Sequence, residues 1–436
     1  MIERIIMTTL IRNVKLLDEY GFGTKSVSAL VENGKYKYIG EAEPRIKVDE
    51  IIDGKDNLLI PAFYNTHCHA AMTLFRGYGE DLPLDRWLNE KIFPAEDRLT
   101  PKSVNVATKL AIAEMISCGI ASFSDMYMFM DEVAKAVMDT GIKANLSRSI
   151  VSFADSDDIA HDSRFLESVE LVKNFDGASD GKLKVDMSLH AEYTNTEQMS
   201  RFIAEYIKEN NLGMQIHISE TEKEHSECMA RRKGRTPIEF FNDCGLFDTR
   251  TTAAHCVYVT DSDMDIIKEK NISVAHNAVS NLKLGSGVMP LRKMLDKGIN
   301  VTLGTDGVAS NNTLDILKEF QYALLLGKGI SKSPESLRAR ELFAAATYNG
   351  AVAQGRTDCG KIEVGYKADA VLINLDSVNN IPSYDFYTTL GYSAKSSDVI
   401  MTMVDGKILY KDGEYKTIDI EKLKFEAKDV INHYFD

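Results

Sequence analysis

Between residues 58 and 304 the chain repeats one pattern eight times, a short apolar run of strand character followed by a stretch of helical period. The strand candidates are Leu58–Thr66, Ile120–Met126, Lys143–Ile150, Lys184–His190, Gly213–Ser219, Thr251–Cys256, Ile272–His276 and Asn300–Gly304. Amphipathic stretches such as Lys102–Cys118, Asp131–Thr140, Thr196–Asn210, Asp261–Lys270, Leu291–Lys297 and Thr313–Leu326 lie between them. Gly119, Gly141 and Gly298 each stand just before a strand, where a helix C-cap wants a left-handed residue. Strict alternation of this kind gives parallel strands, in a doubly wound sheet or a closed barrel. Eight repeats point to the (β/α)8 TIM-type barrel. No G-x-G-x-x-G follows the first strand, which removes the usual dinucleotide-binding alternative.

The flanks read differently. Thr9–Leu17, Ser26–Glu32 and Tyr36–Gly40 are strand-like, with Asn33-Gly34 as a hairpin turn. After about residue 360, Ala368–Leu375, Val399–Val404 and Lys407–Tyr410 return to that texture, with turns at Asp405-Gly406 and Asp412-Gly413 and a final helix over Asp419–Tyr434. The simplest assembly is α/β: a small β-sandwich of residues 1–57 with 366–436, beside a barrel of residues 58–365.

Barrel chemistry sits at the C-terminal ends of the strands, and the titratable residues gather there. His67 and His69 end the first strand, His190 the fourth, His217 the fifth, His255 the sixth and His276 the seventh, with Asp306 just past the eighth. Six of the nine histidines thus fall on one rim, more than structural histidines account for. Alternate residues of a strand share a face. His67 and His69 therefore point the same way, while Cys68 between them packs on the other side. In Met214–Ser219 the apolar face is Met214, Ile216 and Ile218, so His217 points inward. His67, His69, His217 and Asp306 can converge on one zinc-like ion with an open position for water. Glu220 leaves the fifth strand on the same rim, placed either to shuttle protons or to serve as a first-turn acid of the next helix.

The net charge of −14 disfavours nucleic acid and anionic membranes as partners. Six scattered cysteines without a C-x-x-C pair suit a reducing cytoplasm. Glu3 and Arg4 interrupt any signal-peptide core near the start, no apolar run is long enough to span a membrane, and Met7 is an alternative start to Met1.

The sequence resembles the amidohydrolase superfamily, and within it the 5-methylthioadenosine/S-adenosylhomocysteine deaminases. The matching stretches are Asn65–Gly77, Pro94-Ala-Glu96, Ile216–Thr221, Ala254-His-Cys256, Ala275–Leu284, Leu303–Gly307 and Ser310-Asn-Asn312. The resemblance implies His67, His69, His217 and Asp306 as ligands of a single zinc, or ferrous iron, because His190 stands where binuclear members carry a bridging lysine. It implies that Glu220 protonates purine N1 as an activated water attacks C6, that His255 orients or deprotonates that water, and that Asp306 passes its proton to ammonia. Glu96 matches a ribose-contacting position, with an ion pair to Arg98 as the structural alternative. Arg148 and His190 match further substrate contacts, the arginine suited to a carboxylate. Trp87, the only tryptophan, either walls the pocket or anchors its loop. Ala62 and Ala278 replace a glycine and a proline usual in the motifs, and neither carries side-chain chemistry.

The expected substrate is a purine nucleoside: 5-methylthioadenosine, S-adenosylhomocysteine, 5′-deoxyadenosine or adenosine. Related enzymes imply a homo-oligomer, a dimer or tetramer. Free-base deamination of a guanine type, triazine amino- or chlorohydrolysis, and a catalytically idle binding scaffold are the alternatives. The scaffold reading requires a lost ligand or proton shuttle, and none is missing.

Overall fold

The structure, a computed structural model, describes residues 7–18 and 25–434. The choice of start codon concerns residues 1–6, outside the described residues. Sixteen strands form two eight-stranded sheets. The outer sheet takes β1 (Thr8–Leu16), β2 (Val27–Glu32), β3 (Lys35–Gly40) and β4 (Glu50–Pro61) from the early chain. The barrel follows with β5 (Phe63–Cys68), β6 (Ile120–Tyr127), β7 (Lys143–Ile150), β8 (Leu183–Leu189), β9 (Gly213–Ile218), β10 (Thr251–His255), β11 (Ser273–His276) and β12 (Val301–Leu303). The later chain returns β13 (Ala370–Ile373), β14 (Val399–Val404), β15 (Lys407–Lys411) and β16 (Glu414–Tyr415) to the outer sheet.

β5 to β12 run parallel in sequence order, each against the next. β12 has only three residues, and the seam back to β5 is closed largely by side chains. Thr66 Oγ1 donates to Leu303 O at 2.9 Å, Asn65 Nδ2 to Thr305 Oγ1 at 2.7 Å, and the Asp306 N–H to His67 O at 2.9 Å. Gly304 is needed here, because a Cβ on it would come within 2.9 Å of His67 Cβ and closer still to Asn277 Oδ1. The seam therefore brings the first and last of the expected ligands together.

The apolar run expected as one barrel strand, Leu58–Thr66, is split between two sheets. Leu58–Pro61 ends β4, paired to β1 and β13, and the barrel begins only at Phe63. Ala62 is the joint, its N–H bonded to Asp369 O at 3.1 Å. Leu58–Ile60 and Phe63–Thr66 are both buried, so hydrophobicity alone does not mark the change of sheet. The helix expected over Thr313–Leu326 starts later, at Ile316, because the Asp315 carboxylate caps the Lys318 N–H, and it runs on to Ser331.

The outer sheet has the order β16-β15-β14-β13-β4-β1-β2-β3. Its two halves share one core: Ile11, Val31, Tyr36 and Ile52 pack with Leu372, Met401 and Met403, so the ribbon closes on itself as a small sandwich. Its three Asx-Gly turns, at Asn33, Asp405 and Asp412, have positive φ at both residues, as type I′ hairpins require. The last helix, Ile420–Tyr434, packs across the helix Pro101–Ser117. At its end Tyr434 donates to the Ala95 carbonyl, with Arg98 stacked 5.5 Å from its ring centroid.

Sandwich and barrel are pinned by one buried cation. Lys143 Nζ, at the start of β7, lies 2.7 Å from Asp369 Oδ1 and 2.7 Å from Asp405 Oδ1, and Tyr64 donates to Asp369. Burial favours loss of its proton, but Asp369, Cys359 and Asp405 outweigh that and hold the ammonium. Lys143→Met leaves the buried Asp369 carboxylate without its counterion, while Asp405 keeps Lys367 at 3.3 Å, and about 3–5 kcal/mol of stability is expected to be lost in urea unfolding. Lys143→Met with Asp369→Leu recovers part of it. Equal midpoints for wild type and Lys143→Met would contradict this role.

Candidate metal centre and active-site cavity

The four expected ligands meet at the C-terminal mouth of the barrel. His69 Nε2 is 3.1 Å and His67 Nε2 3.5 Å from the same oxygen, Asp306 Oδ1, and His217 Nε2 is 3.4 Å from His69 Nε2. The outer ring nitrogens are anchored: His69 Nδ1 donates to Met126 O and His217 Nδ1 to His190 O, both at 2.8 Å. That fixes each tautomer with the Nε2 lone pair aimed inward, as a metal requires. His67 Nε2 is buried with no hydrogen-bond partner. Lone pairs converging in a dry site repel unless a cation lies among them.

The charges agree. Burial lowers His67 to about 4 and takes His217 well below the usual imidazole range. Burial also opposes charge on His69, but Asp306 and then Asp125 outweigh it and raise His69 to about 9. Asp306 is buried, yet its two histidine contacts hold it well below the usual carboxylate range. The cluster thus carries one carboxylate charge that attracts a proton to His69 when nothing else is bound. Three imidazole nitrogens and one carboxylate oxygen are a donor set for zinc or a similar transition ion, and the residues fit such a group.

The residues expected to handle protons surround this cluster. His255 Nδ1 donates to Asn281 Oδ1 at 2.8 Å, which leaves Nε2 as the acceptor, 3.8 Å from Glu220 Oε2. Burial raises the Glu220 carboxyl, so it holds a proton to higher pH than an exposed acid. Glu220 is not the first-turn acid of the next helix, Glu222–Arg231, whose N-cap is Thr221. That place belongs to Glu224, whose carboxylate accepts the N–H of Ser219 at 2.9 Å and of Glu220 at 2.7 Å. Ser280 and Ser310 donate to Asp306 Oδ2 at 2.6 and 3.0 Å. Ser219, His255, Cys256 and Asp306 have φ of 50°, 73°, 47° and 61°, a strained left-handed backbone at the ends of β9, β10 and β12.

A cavity of about 970 Å³ opens above the cluster, lined among others by Trp87, Glu96, Tyr127, Arg148, His190 and Glu220. Trp87 is 5 % exposed, on the single turn Leu84–Trp87 of the loop after β5. Glu96 ends the turn Phe93–Glu96, where burial raises its carboxyl to about 7. No ion pair joins it to Arg98 among the described residues; Arg98 stacks on Tyr434 instead. His190 Nδ1 faces Thr194 Oγ1 at 3.1 Å. Arg148 is engaged, its Nε with Glu167 and its Nη1 with Ser149 O at 2.6 Å.

Tyr127, Glu224, Asn281, Ser280 and Ser310 were not marked as site residues by the sequence reasoning. Thr221-x-x-Glu224 carried a signal, the capping-box spacing, although the carboxylate reaches past its own cap to Ser219 and Glu220. Tyr127 reads as one more buried strand residue.

The amidohydrolase family pattern matches residues 58–409. A 5-methylthioadenosine/S-adenosylhomocysteine deaminase of Dictyoglomus thermophilum is 43% identical over 392 residues, 90% of this chain and 91% of that one. A 5′-deoxyadenosine deaminase of Methanosarcina acetivorans is 41% identical over 404 residues, 93% of this chain and 92% of that one. Among solved structures, an adenosine deaminase from Xanthomonas campestris with bound zinc superposes with a TM-score of 0.91 at 28% identity, covering 98% of both chains. With the barrel, the seam and the histidine cluster in place, the chain belongs to the amidohydrolase family, among the relatives of the 5-methylthioadenosine/S-adenosylhomocysteine deaminases.

Proposed function

We propose that this protein is a metal-dependent hydrolytic deaminase of 5′-substituted adenosines, releasing ammonia and the inosine analogue. The observation that carries the reading is a pair of triads sharing His67, one with His69 and His217 and one with His255 and Asp306, with Glu220 beside them under a cavity walled by Glu96 and Trp87. His67, His69, His217 and Asp306 would hold one zinc ion per chain, which supplies the Lewis acidity that makes water nucleophilic near neutral pH. A homo-oligomer, and the division into a sandwich of residues 1–57 with 366–436 and a barrel of residues 58–365, belong to the same reading.

The residues act as follows. His255 Nε2, free as an acceptor, takes a proton from the attacking water, whose oxygen forms a bond to purine C6. Glu220, whose burial favours the protonated form, donates to N1, so the ring rather than a bare amide anion takes the electron pair. Asp306 relays the water's remaining proton to the exocyclic amine; the C6–N6 bond breaks, ammonia leaves, and N1 keeps its proton in the lactam product. Ser280 and Ser310 hold the Asp306 carboxylate in place meanwhile. Glu96 receives the ribose hydroxyls, Trp87 walls the base or the thioether, and His190 and Arg148 line the remaining cavity.

The test is ammonia release from methylthioadenosine, S-adenosylhomocysteine, 5′-deoxyadenosine and adenosine, alongside metal content. One metal ion per chain and turnover of at least one nucleoside are expected; loaded enzyme inert on all four would refute the reading. Glu96→Gln is expected to raise KM by about tenfold, the worth of one charged hydrogen bond, with kcat little changed. An unchanged KM would return Glu96 to a structural role.

A further inference from the structure

We propose that Tyr127 is a further substrate-binding residue: its phenol donates to a ribose hydroxyl while Glu96 accepts from the hydroxyl pair, so that together they read a cis-diol. This rests on the nucleoside reading above. Tyr127 is the last residue of β6 and is only 4 % exposed, yet it lines the cavity. Its hydroxyl oxygen is buried without a regular hydrogen bond and faces the Glu96 carboxyl group. A donor withdrawn from water and left unpaired is costly, and such groups persist where a ligand completes them.

The ring cannot turn away to find another partner. Tyr127 pairs in register with Arg148 of β7 on one side, and its ring lies 5.9 Å from that of His69 on the other. The Glu96 carboxyl group lies beside the Tyr127 hydroxyl, so the two face the same part of the cavity. A phenol O–H is a hydrogen-bond donor. A carboxylate offers only acceptors. An ionised Glu96 alone can take two hydroxyl protons but leaves the hydroxyl oxygens without a protein donor. A phenol beside it supplies the missing donor, and an acceptor with a donor matches a vicinal diol better than a single alcohol.

The test compares wild type and Tyr127→Phe on a ribonucleoside and its 2′-deoxy and 3′-deoxy analogues. Metal content, and inhibition by hypoxanthine, which has no ribose, report on the integrity of the centre. Tyr127→Phe is expected to raise KM for the ribonucleoside about tenfold with kcat within about twofold. The penalty is expected to vanish on the analogue lacking the contacted hydroxyl, with metal and hypoxanthine inhibition unchanged. An equal penalty on all three nucleosides, or none on any, would overturn the role of Tyr127 and leave the deaminase reading standing. A wild-type enzyme that deaminates none of them overturns both.

Discussion

Asp306→Asn is expected to lower kcat/KM by about 10³-fold and to leave less than half of the chains metallated. The substitution keeps the shape and one oxygen, so what it removes is charge. Asp306 Oδ1 is the atom that both His67 and His69 face, and it is the only carboxylate in the proposed ligand set. Lewis-acid stabilisation is worth several kcal/mol, and each 1.4 kcal/mol is a factor of ten. The same residue relays the proton to the leaving amine, so metal restored by excess zinc is expected to recover only part of the rate. Ser280→Ala, which removes a donor to Oδ2 rather than the ligand, is expected to cost about 10- to 100-fold. Metal analysis by mass spectrometry and ammonia release check both. An Asp306→Asn enzyme with full metal and full rate would remove Asp306 from the centre.

Glu220→Gln is expected to reduce kcat by about 10²- to 10⁴-fold, the usual worth of a positioned proton donor. Metal content and KM change little, since Glu220 is not among the four proposed ligands. Glutamine keeps the Ser286 Oγ contact, at 3.2 Å in the wild type, but has no proton to give to N1. The outcome also decides against an idle scaffold, which would lose nothing measurable. A Glu220→Gln enzyme at wild-type rate would move the proton transfer elsewhere on the rim. Glu224→Gln makes a useful contrast, because it loosens the turn that aims Glu220 without touching the chemistry.

The barrel was legible because period-two and helical patterns alternate without interruption, and because the inward face of β9 is polar where its outward face is apolar. The metal cluster was legible for the same reason, since strand alternation fixes which way His67, His69 and His217 point. What periodicity does not encode is contact across the chain. The break at Ala62 lies inside an apolar run buried in both sheets, and the seam depends on Asn65 and Thr66 meeting residues 302–305. Tyr127 was hidden by its company, a buried aromatic in a buried strand. Arg148 was visible, but its engagement with Glu167 lies between β7 and the helix Ser163–Phe175 and has no local signature.

The contact between Tyr434 and the Ala95 carbonyl has a consequence for the order of assembly. A ribosome delivers all four proposed ligands by residue 306, long before it reaches the helix that braces the turn bearing Glu96. The turn that bears Glu96 is therefore braced by a residue 339 positions further along the chain. A chain cut short before its last helix would keep every residue of the proposed centre and lose the brace of the turn that bears Glu96.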